Sequence, residues 1–300
     1  MFSSFVQDEI VLVPDRLFLT AGTKIERSYY NGWDAQPSVR VAWTPTARQT
    51  LWAAISHADR TPSELDNSVV SNLGGFTGPN GPVALKLLGN VDLRNEQTNS
   101  FEAGYRTSLA DKVSLDFTAY YASQYDQETT EPGTSFFEAT PAPPTFVMPL
   151  AYSNLLHGES HRFELAANWK PASRWTISPG YAFEQIHMYL APTSHDTSSV
   201  SAAEGSTPVN SVLLRSHVAL LHGWMWDASV YFVGHLKDPV IPSYTRLDTG
   251  LTWQWNEKSS LSFVGQNLLK DRHEEFVDLT GSAATTEIKR SVYAKFTWRF

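Results

Sequence analysis

Hydrophobic and polar positions alternate along most of this chain with a period of two, the pattern of strands that turn one face to an apolar medium and the other to water. Residues 291–300 are the clearest case: Val292, Ala294, Phe296, Trp298 and Phe300 alternate with Tyr293, Lys295, Thr297 and Arg299. Val113, Leu115, Phe117, Ala119 and Tyr121 face one way, opposite Ser114, Asp116, Thr118 and Tyr120. Phe101, Ala103, Tyr105, Thr107 and Leu109 oppose Glu102, Gly104, Arg106 and Ser108. Leu247, Thr249, Leu251, Trp253 and Trp255 oppose Arg246, Asp248, Gly250, Thr252 and Gln254. The run over 5–13 mixes apolar and charged residues on both faces.

The pattern predicts 13 strands, at 5–13, 16–30, 38–44, 50–58, 98–109, 113–125, 160–169, 174–188, 210–221, 225–235, 244–255, 260–269 and 291–300. Tight turns near 14, 46, 111, 172, 223 and 257 alternate with longer links near 33, 61–95, 126–158, 190–209, 238 and 271–286. The longer links hold the turn formers, including Gly74-Gly75, Gly78-Pro79-Asn80-Gly81-Pro82, Pro132-Gly133 and the prolines 141, 143 and 144. One short rim and one long rim is the arrangement of an outer-membrane barrel, with periplasmic turns and extracellular loops. Trp43, Trp169, Trp175, Trp224, Trp226, Trp253, Trp255 and Trp298 all lie close to the tight turns, as an interfacial aromatic girdle would.

Composition narrows the class. The 300 residues, 42% apolar and 13% aromatic, suffice for one large folded unit. A net charge of −8 gives no basic face for nucleic acid, and the absence of cysteine removes disulfides and thiolate zinc sites. No stretch approaches the roughly 18 apolar residues of a membrane helix, since the most apolar patch, 218–226, is broken by His222 and Gly223. The predicted fold is therefore all-β: an antiparallel up-and-down transmembrane β-barrel.

The strand count bears on completeness. With 13 strands the first and last run the same way, whereas bacterial single-chain barrels have even counts. An open sheet in lipid leaves bare edges. The N-terminus has neither the basic nor the apolar segment of a signal peptide. These features predict that strands are missing upstream or that 1–13 lies outside the barrel. The chain alone is then expected to form a curved, incomplete wall with unpaired first and last strands.

Several segments resemble barrel strands of TonB-dependent outer-membrane receptors. They include Phe5-Val6-Gln7-Asp8-Glu9-Ile10, Leu17-Phe18-Leu19-Thr20-Ala21-Gly22-Thr23-Lys24 and Pro37-Ser38-Val39-Arg40-Val41-Ala42-Trp43-Thr44-Pro45. Leu51-Trp52-Ala53-Ala54-Ile55-Ser56 and Arg60-Thr61-Pro62-Ser63 follow the same pattern. Leu93-Arg94-Asn95-Glu96 through Ser100-Phe101-Glu102-Ala103-Gly104-Tyr105-Arg106 is similar to the family's link into a barrel strand. Asn267-Leu268-Leu269-Lys270-Asp271 and Phe300 are similar to its closing hairpin.

The resemblance implies a complete barrel of about 22 strands around an N-terminal plug. Residues 1–300 would be the C-terminal portion of that barrel, an incomplete wall without plug or signal peptide. It implies a receptor or transporter in the cell outer membrane that takes up a scarce ligand such as a ferric siderophore. The partners implied are outer-membrane lipid, the TonB complex through a missing N-terminal region, and a small-molecule ligand of the iron-chelate kind. No enzyme activity, cofactor or resident metal is implied. Two other classes remain open, a passive porin-like channel and a soluble β-rich binding protein.

No catalytic constellation stands out. The glycine-rich stretch 74–82 has no following Gly-Lys-Ser/Thr and reads as a loop. His157 and His161 share a strand face with Glu159, but no third ligand stands at metal-binding spacing, so a polar lumen edge is expected. His273-Glu274-Glu275 lacks the second histidine of a zinc hydrolase helix and reads as a solvated loop. Arg60, at the long-loop end of its strand, is expected to face the lumen or mouth, where the resemblance implies contact with plug and ligand; a structural lumen arginine is the competing reading. Tyr29, Tyr30 and Trp33, placed in a long-side link, are candidates for contact with an iron chelate or for the upper aromatic girdle. Phe296, Trp298 and Phe300 form the expected membrane-assembly strand.

Overall fold

The structure is a computed structural model that describes residues 2–79, 81–140, 142–277 and 286–300. Asn80 and Pro141, in two of the loops named above, and 278–285 of the last long link lie outside the described residues.

Two hairpins open the chain: β1 (Phe2–Val13) with β2 (Leu17–Ser28), and β3 (Gly32–Thr46) with β4 (Gln49–Arg60). A short helix α1 (Glu64–Ser68) and a hairpin of β5 (Val70–Gly78) and β6 (Gly81–Leu88) come next. The chain continues through β7 (Glu96–Leu109), β8 (Val113–Pro132), β9 (Phe136–Glu138), β10 (Thr145–Ala172) and β11 (Trp175–Leu190). Helix α2 (Ser199–Gly205) precedes β12 (Asn210–Ala219) and β13 (Trp224–Val233). Two short pieces, β14 (Leu236–Lys237) and β15 (Val240–Ile241), lead to β16 (Tyr244–Gln254) and β17 (Ser259–Gln266). The short pair β18 (Arg272–Glu274) and β19 (Glu287–Lys289) precedes the last strand, β20 (Ser291–Trp298).

Thirteen strands form the wall, each antiparallel to its neighbours, in the order β1-β2-β3-β4-β7-β8-β10-β11-β12-β13-β16-β17-β20. Among the described residues β1 and β20 do not pair, so the wall is open, as expected. Residues 2–13, ambiguous in sequence, form a full strand paired along β2. Among the described residues no helix is long and apolar enough to cross a membrane.

Register fixes which side chains share a face. Val41, Leu51, Phe117 and Leu165 point one way, together with Leu214, Leu251, Phe263 and Phe296, and all are exposed. Arg40, Glu102, Arg106 and Asp116 point the other way, with Arg162, Glu164, Arg246 and Asp248. An apolar convex face and a charged inner face are what a wall between lipid and a wet lumen requires. The girdle lies where expected. Trp224 stacks on Trp253 with centroids 5.6 Å apart, Trp253 lies 5.2 Å from Trp255, and Trp255 stacks on Phe296 at 6.0 Å. Left-handed backbone at Asp15, Ala110 and His222 (φ 56–59°) closes three tight turns at that rim.

The other rim departs from the expectations. The link expected at 31–36 is a turn of only Tyr29-Tyr30-Asn31, because Ser28 already pairs with Gly32. The supposed loop 61–95 holds α1, closed by a capping box of Ser63 and Asp66, and the β5–β6 hairpin. That hairpin crosses over β7 and β8 in sheet order, and β6 pairs in parallel with β10 at 146–151. Its run 83–88 is apolar but for Lys86, which pairs with Glu138, so alternation is too weak to reveal it. The supposed loop 126–158 is mostly strand, since β8 runs on to Pro132 and β10 starts at Thr145. Bulges near 153–158, with Asp126 left-handed (φ 54°), break the alternation there and hide both extensions. A membrane crossing needs only about 9–11 residues, so the 20 residues of β8 and 28 of β10 are far longer than a crossing requires. Of the buried apolar residues, Leu93, Val147, Leu156, Met188 and Ile241 lie in these extensions and the segments near them, and Ala122 lies in β8 below its extension.

Candidate functional site

The inner face and the mouth above it carry the groups that could meet a solute. Arg60 ends β4 on the inner face and pairs with Glu96 at the start of β7. The contact is a two-pronged ion pair, Nε and Nη2 each 2.6 Å from a Glu96 oxygen. Asp66 of α1 and Glu128 of the β8 extension each lie 3.7 Å from the same guanidinium. Glu128 stands above the membrane-crossing part of β8. Burial, then repulsion from Asp66, pushes its carboxyl up to about 7, while Arg60 pulls the other way. One cation thus gathers three acids from three segments.

The Tyr29–Asn31 turn reaches the same neighbourhood. The Asn31 amide donates to Asn95, 2.5 Å away and next in sequence to Glu96. Tyr30 is exposed at this turn and meets Tyr29 edge to face at 5.2 Å. Trp33 is not in a loop: it lies in β3 on the outward face, 61% exposed, against Phe2 at 6.2 Å and beneath Arg27 at 5.7 Å. It therefore lies among the outward-facing aromatics of the upper rim.

His157 and His161 are separate from the Arg60 cluster. Both lie in β10 and face outward with Phe163 and Leu165, not toward the lumen edge. His161 packs on Tyr121 at 5.0 Å, whose hydroxyl donates to Glu159 at 3.1 Å, and His157 lies 5.9 Å from Tyr189. The outward turn follows from pairing. His161 sits opposite Tyr121 on β8 and in line with Phe163 on its own strand, and that row is on the outward face. Phe296 and Trp298 also point outward, and Phe300, just past β20, lies 5.4 Å from Trp298.

His273, expected in a solvated loop, is buried. It stacks on Tyr244 with centroids 4.2 Å apart, and its ring nitrogens lie 3.2 Å from the Asn267 amide oxygen and 2.8 Å from Glu275. Asn267 in turn donates its N–H to Asp248, which chelates Arg246. This network joins the last long link to β16. The inner-face pairs Arg162–Glu164 and Arg246–Asp248 were passed over in the sequence. Their signal was present, since a basic and an acidic residue two apart on a strand share a face. Among the described residues no group of three or more His, Asp or Glu side chains has metal-binding geometry.

Comparison with known proteins agrees with this architecture. The family model of the TonB dependent receptor-like β-barrel matches residues 2–268. No curated protein matches the sequence. Among solved structures, the siderophore receptor PirA from Acinetobacter baumannii superposes with a TM-score of 0.75 at 15% identity. A mutant of the ferric enterobactin receptor PfeA from Pseudomonas aeruginosa, in complex with enterobactin, gives 0.74 at 17% identity. The copper transporter OprC gives 0.66 at 13%. The match covers 99% of this chain in each case, but only 45%, 45% and 48% of those structures, so the chain spans less than half their length. At such identities the superposition speaks for the fold alone. By the family match the chain belongs to the TonB-dependent receptor-like β-barrel family.

Proposed function

We propose that residues 1–300 are the C-terminal portion of the barrel of an outer-membrane receptor that takes up a scarce ligand, of which a ferric siderophore is the leading class. The single observation that carries the reading is the family match over 2–268, on a wall whose outward face is apolar and inner face charged. Barrels of this family are outer-membrane proteins. PirA and PfeA, with which this wall superposes, are named as a siderophore and a ferric enterobactin receptor. In this reading the complete protein captures the ligand at the long-loop rim, around the Arg60 cluster and Tyr30, and draws energy from the TonB complex through an N-terminal region. Trp33, His157 and His161 face outward, so their part is contact with lipid and its headgroups.

The test uses the full-length gene. Its deletion is expected to abolish growth on at least one ferric siderophore supplied as sole iron source, and the intact gene to restore it. Unchanged growth and unchanged iron uptake across a panel of hydroxamate, catecholate and carboxylate siderophores would overturn the siderophore assignment. Recovery of the protein in the soluble fraction without detergent would overturn the membrane assignment.

A further inference from the structure

Three histidines and one glutamate gather on the outward face of the wall, high on β10 and β11. His157, Glu159 and His161 share that face by parity. On β11 the cross-strand partner of Glu159 is His187, that of His157 is Tyr189 and that of His161 is Gln185. Glu159 thus has one imidazole across the pairing and one on either side along its own strand, all within about 7 Å by strand geometry. Gly158, on the opposite face, has a packing role: a Cβ there would fall 2.2 Å from the His187 carbonyl oxygen, so glycine lets the two strands close on each other at this level.

The side chains below set the height of this group. The outward positions of β10 beneath His161 are Phe163, Leu165, Ala167 and Trp169, and Phe163 stacks on Phe183 of β11 at 4.9 Å. Counted from Trp169 at the girdle rim, a crossing of about 9–11 residues ends between His161 and Glu159. Neighbouring strands turn polar at the same height: Ser123 of β8 lies opposite Glu159, Asn99 of β7 opposite Ser123, and His57 of β4 opposite Asn99. His57 is already engaged, 2.8 Å from Asn99 and 3.2 Å from Asp59.

The imidazoles of β10 and β11 are open by comparison. His157 and His161 are exposed and His187 is half-buried. Among the described residues the rings of His157 and His187 form no hydrogen bond or ion pair, and that of His161 comes only within 3.9 Å of Glu159. The other titratable groups on this side are Tyr121 and Tyr125 of β8 and Tyr189 of β11. Tyr121 donates to one Glu159 oxygen at 3.1 Å. Next to β11, Glu204 of α2 accepts the Met188 N–H at 2.8 Å, and higher on β8 Asp126 is paired with Arg94 at 2.8 Å. Arg162 and Glu184 pair on the inner face.

Protonated imidazoles donate charge-assisted hydrogen bonds to an oxyanion, and they gain that proton around about pH 6.5. At the boundary between an apolar face and a polar one, flanked by tyrosines, the oxyanion within reach is a headgroup phosphate. We propose that His157, His161 and His187 bind the phosphate of a lipid headgroup where β10 and β11 leave the bilayer, and hold it more tightly as they take up protons. The proposal rests on the reading of this outward face as the membrane face; it does not depend on which ligand the receptor takes up.

The full-length receptor, extracted from membranes of cells that carry its gene into an uncharged maltoside detergent, is titrated with phosphatidylglycerol, and native mass spectrometry counts the bound lipid. The charge of this lipid stays constant between about pH 5.5 and 7.5, so a change of affinity belongs to the protein. Saturable binding several-fold tighter at the lower pH is expected. The triple variant His157→Gln, His161→Gln, His187→Gln is expected to lose that gain, while Glu159→Gln, which removes the one carboxylate among the imidazoles, binds more tightly at both pH values. Diacylglycerol of the same chain length lacks the phosphate and is expected not to bind. An unfolding temperature equal to that of the native receptor shows that a variant is folded. A receptor absent from the membrane fraction would overturn the membrane reading itself. A membrane-inserted receptor whose binding gains nothing at low pH, or keeps the gain in the triple variant, overturns this proposal alone. So does displacement of the lipid by an equal concentration of inorganic phosphate, which would make the site one for the free anion.

Discussion

Asp196 accepts the backbone N–H of Thr130 at 2.5 Å, tying the loop after β11 to the extension of β8. The same carboxylate takes the N–H groups of Ser198 and Ser199 at 2.7 and 2.8 Å and the Ser199 hydroxyl at 2.6 Å. Beside it, Glu131 takes the Ser194 hydroxyl and the His195 N–H. Burial pushes the Asp196 carboxyl up, but the hydrogen bonds outweigh it and hold its pKa below the usual value. A depressed folded value means stability that is fully present above the unfolded value of about 3.9 and lost as pH falls through the folded one. Asp196→Ala is therefore expected to cost about 1–3 kcal/mol of local stability at pH 7. Hydrogen exchange would show faster exchange at Thr130 and 194–199, with the wall strands unaffected; unchanged protection there would refute the clamp.

The Arg60–Glu96 pair is two-pronged, yet Arg60 keeps 56% of its side chain exposed. Solvent screening limits such a pair to about 0.5–1 kcal/mol. A double-mutant cycle with Arg60→Ala and Glu96→Ala is expected to return a coupling of that size, shrinking in 1 M salt. In the complete protein, Arg60→Ala is also expected to weaken ligand binding several-fold. Binding that stays unchanged would reduce Arg60 to a structural lumen arginine.

What could be read from the sequence follows from period two. In β7, β8, β16 and β20 the alternation is clean, and both the strand and its shared apolar face were legible from Phe101, Phe117, Leu251 and Phe296. The mouth was not. There Asp126 and the bulges near 153–158 shift the phase, and 83–88, paired on both sides with β5 and β10, breaks its apolar run only at Lys86. His157 and His161 were assigned to a shared face correctly, but parity alone cannot say which side of the sheet that face is. Only pairing with Tyr121 and the line to Phe163 turns them outward. The placing of Arg40 over Trp52 was invisible too, because it needs Trp52 and Gly104, 12 and 64 positions away, to meet across two strand pairings.

The two faces of β8 can be separated by one substitution each. Phe117 is outward and 42% exposed, near the middle of the membrane-crossing part; Thr118 faces the cavity beside Trp52. Arginine at a lipid-facing midplane position costs about 2–4 kcal/mol, while the lumen side is wet. Phe117→Arg is therefore expected to lower unfolding stability in phospholipid vesicles by that amount, and Thr118→Arg by less than about 1 kcal/mol. Equal losses would show that the assignment of faces is wrong.

Glu128 supplies the pH dependence. Its carboxyl is pushed from the ordinary 4.5 to about 7, by burial first and repulsion from Asp66 second, with Arg60 opposing. Between those values the folded chain holds a proton that the unfolded chain has released, so stability must fall as pH rises from about 4.5 to 7 and level off above. Glu128→Gln, which cannot ionise, is expected to flatten that slope and to leave the variant more stable relative to the native chain at pH 8 than at pH 4. Arg60→Ala acts in the opposite sense: without the cation the Glu128 pKa rises further and the slope extends to higher pH. Unfolding curves at closely spaced pH values for the three chains check both directions, and a slope that survives Glu128→Gln would assign it to another group.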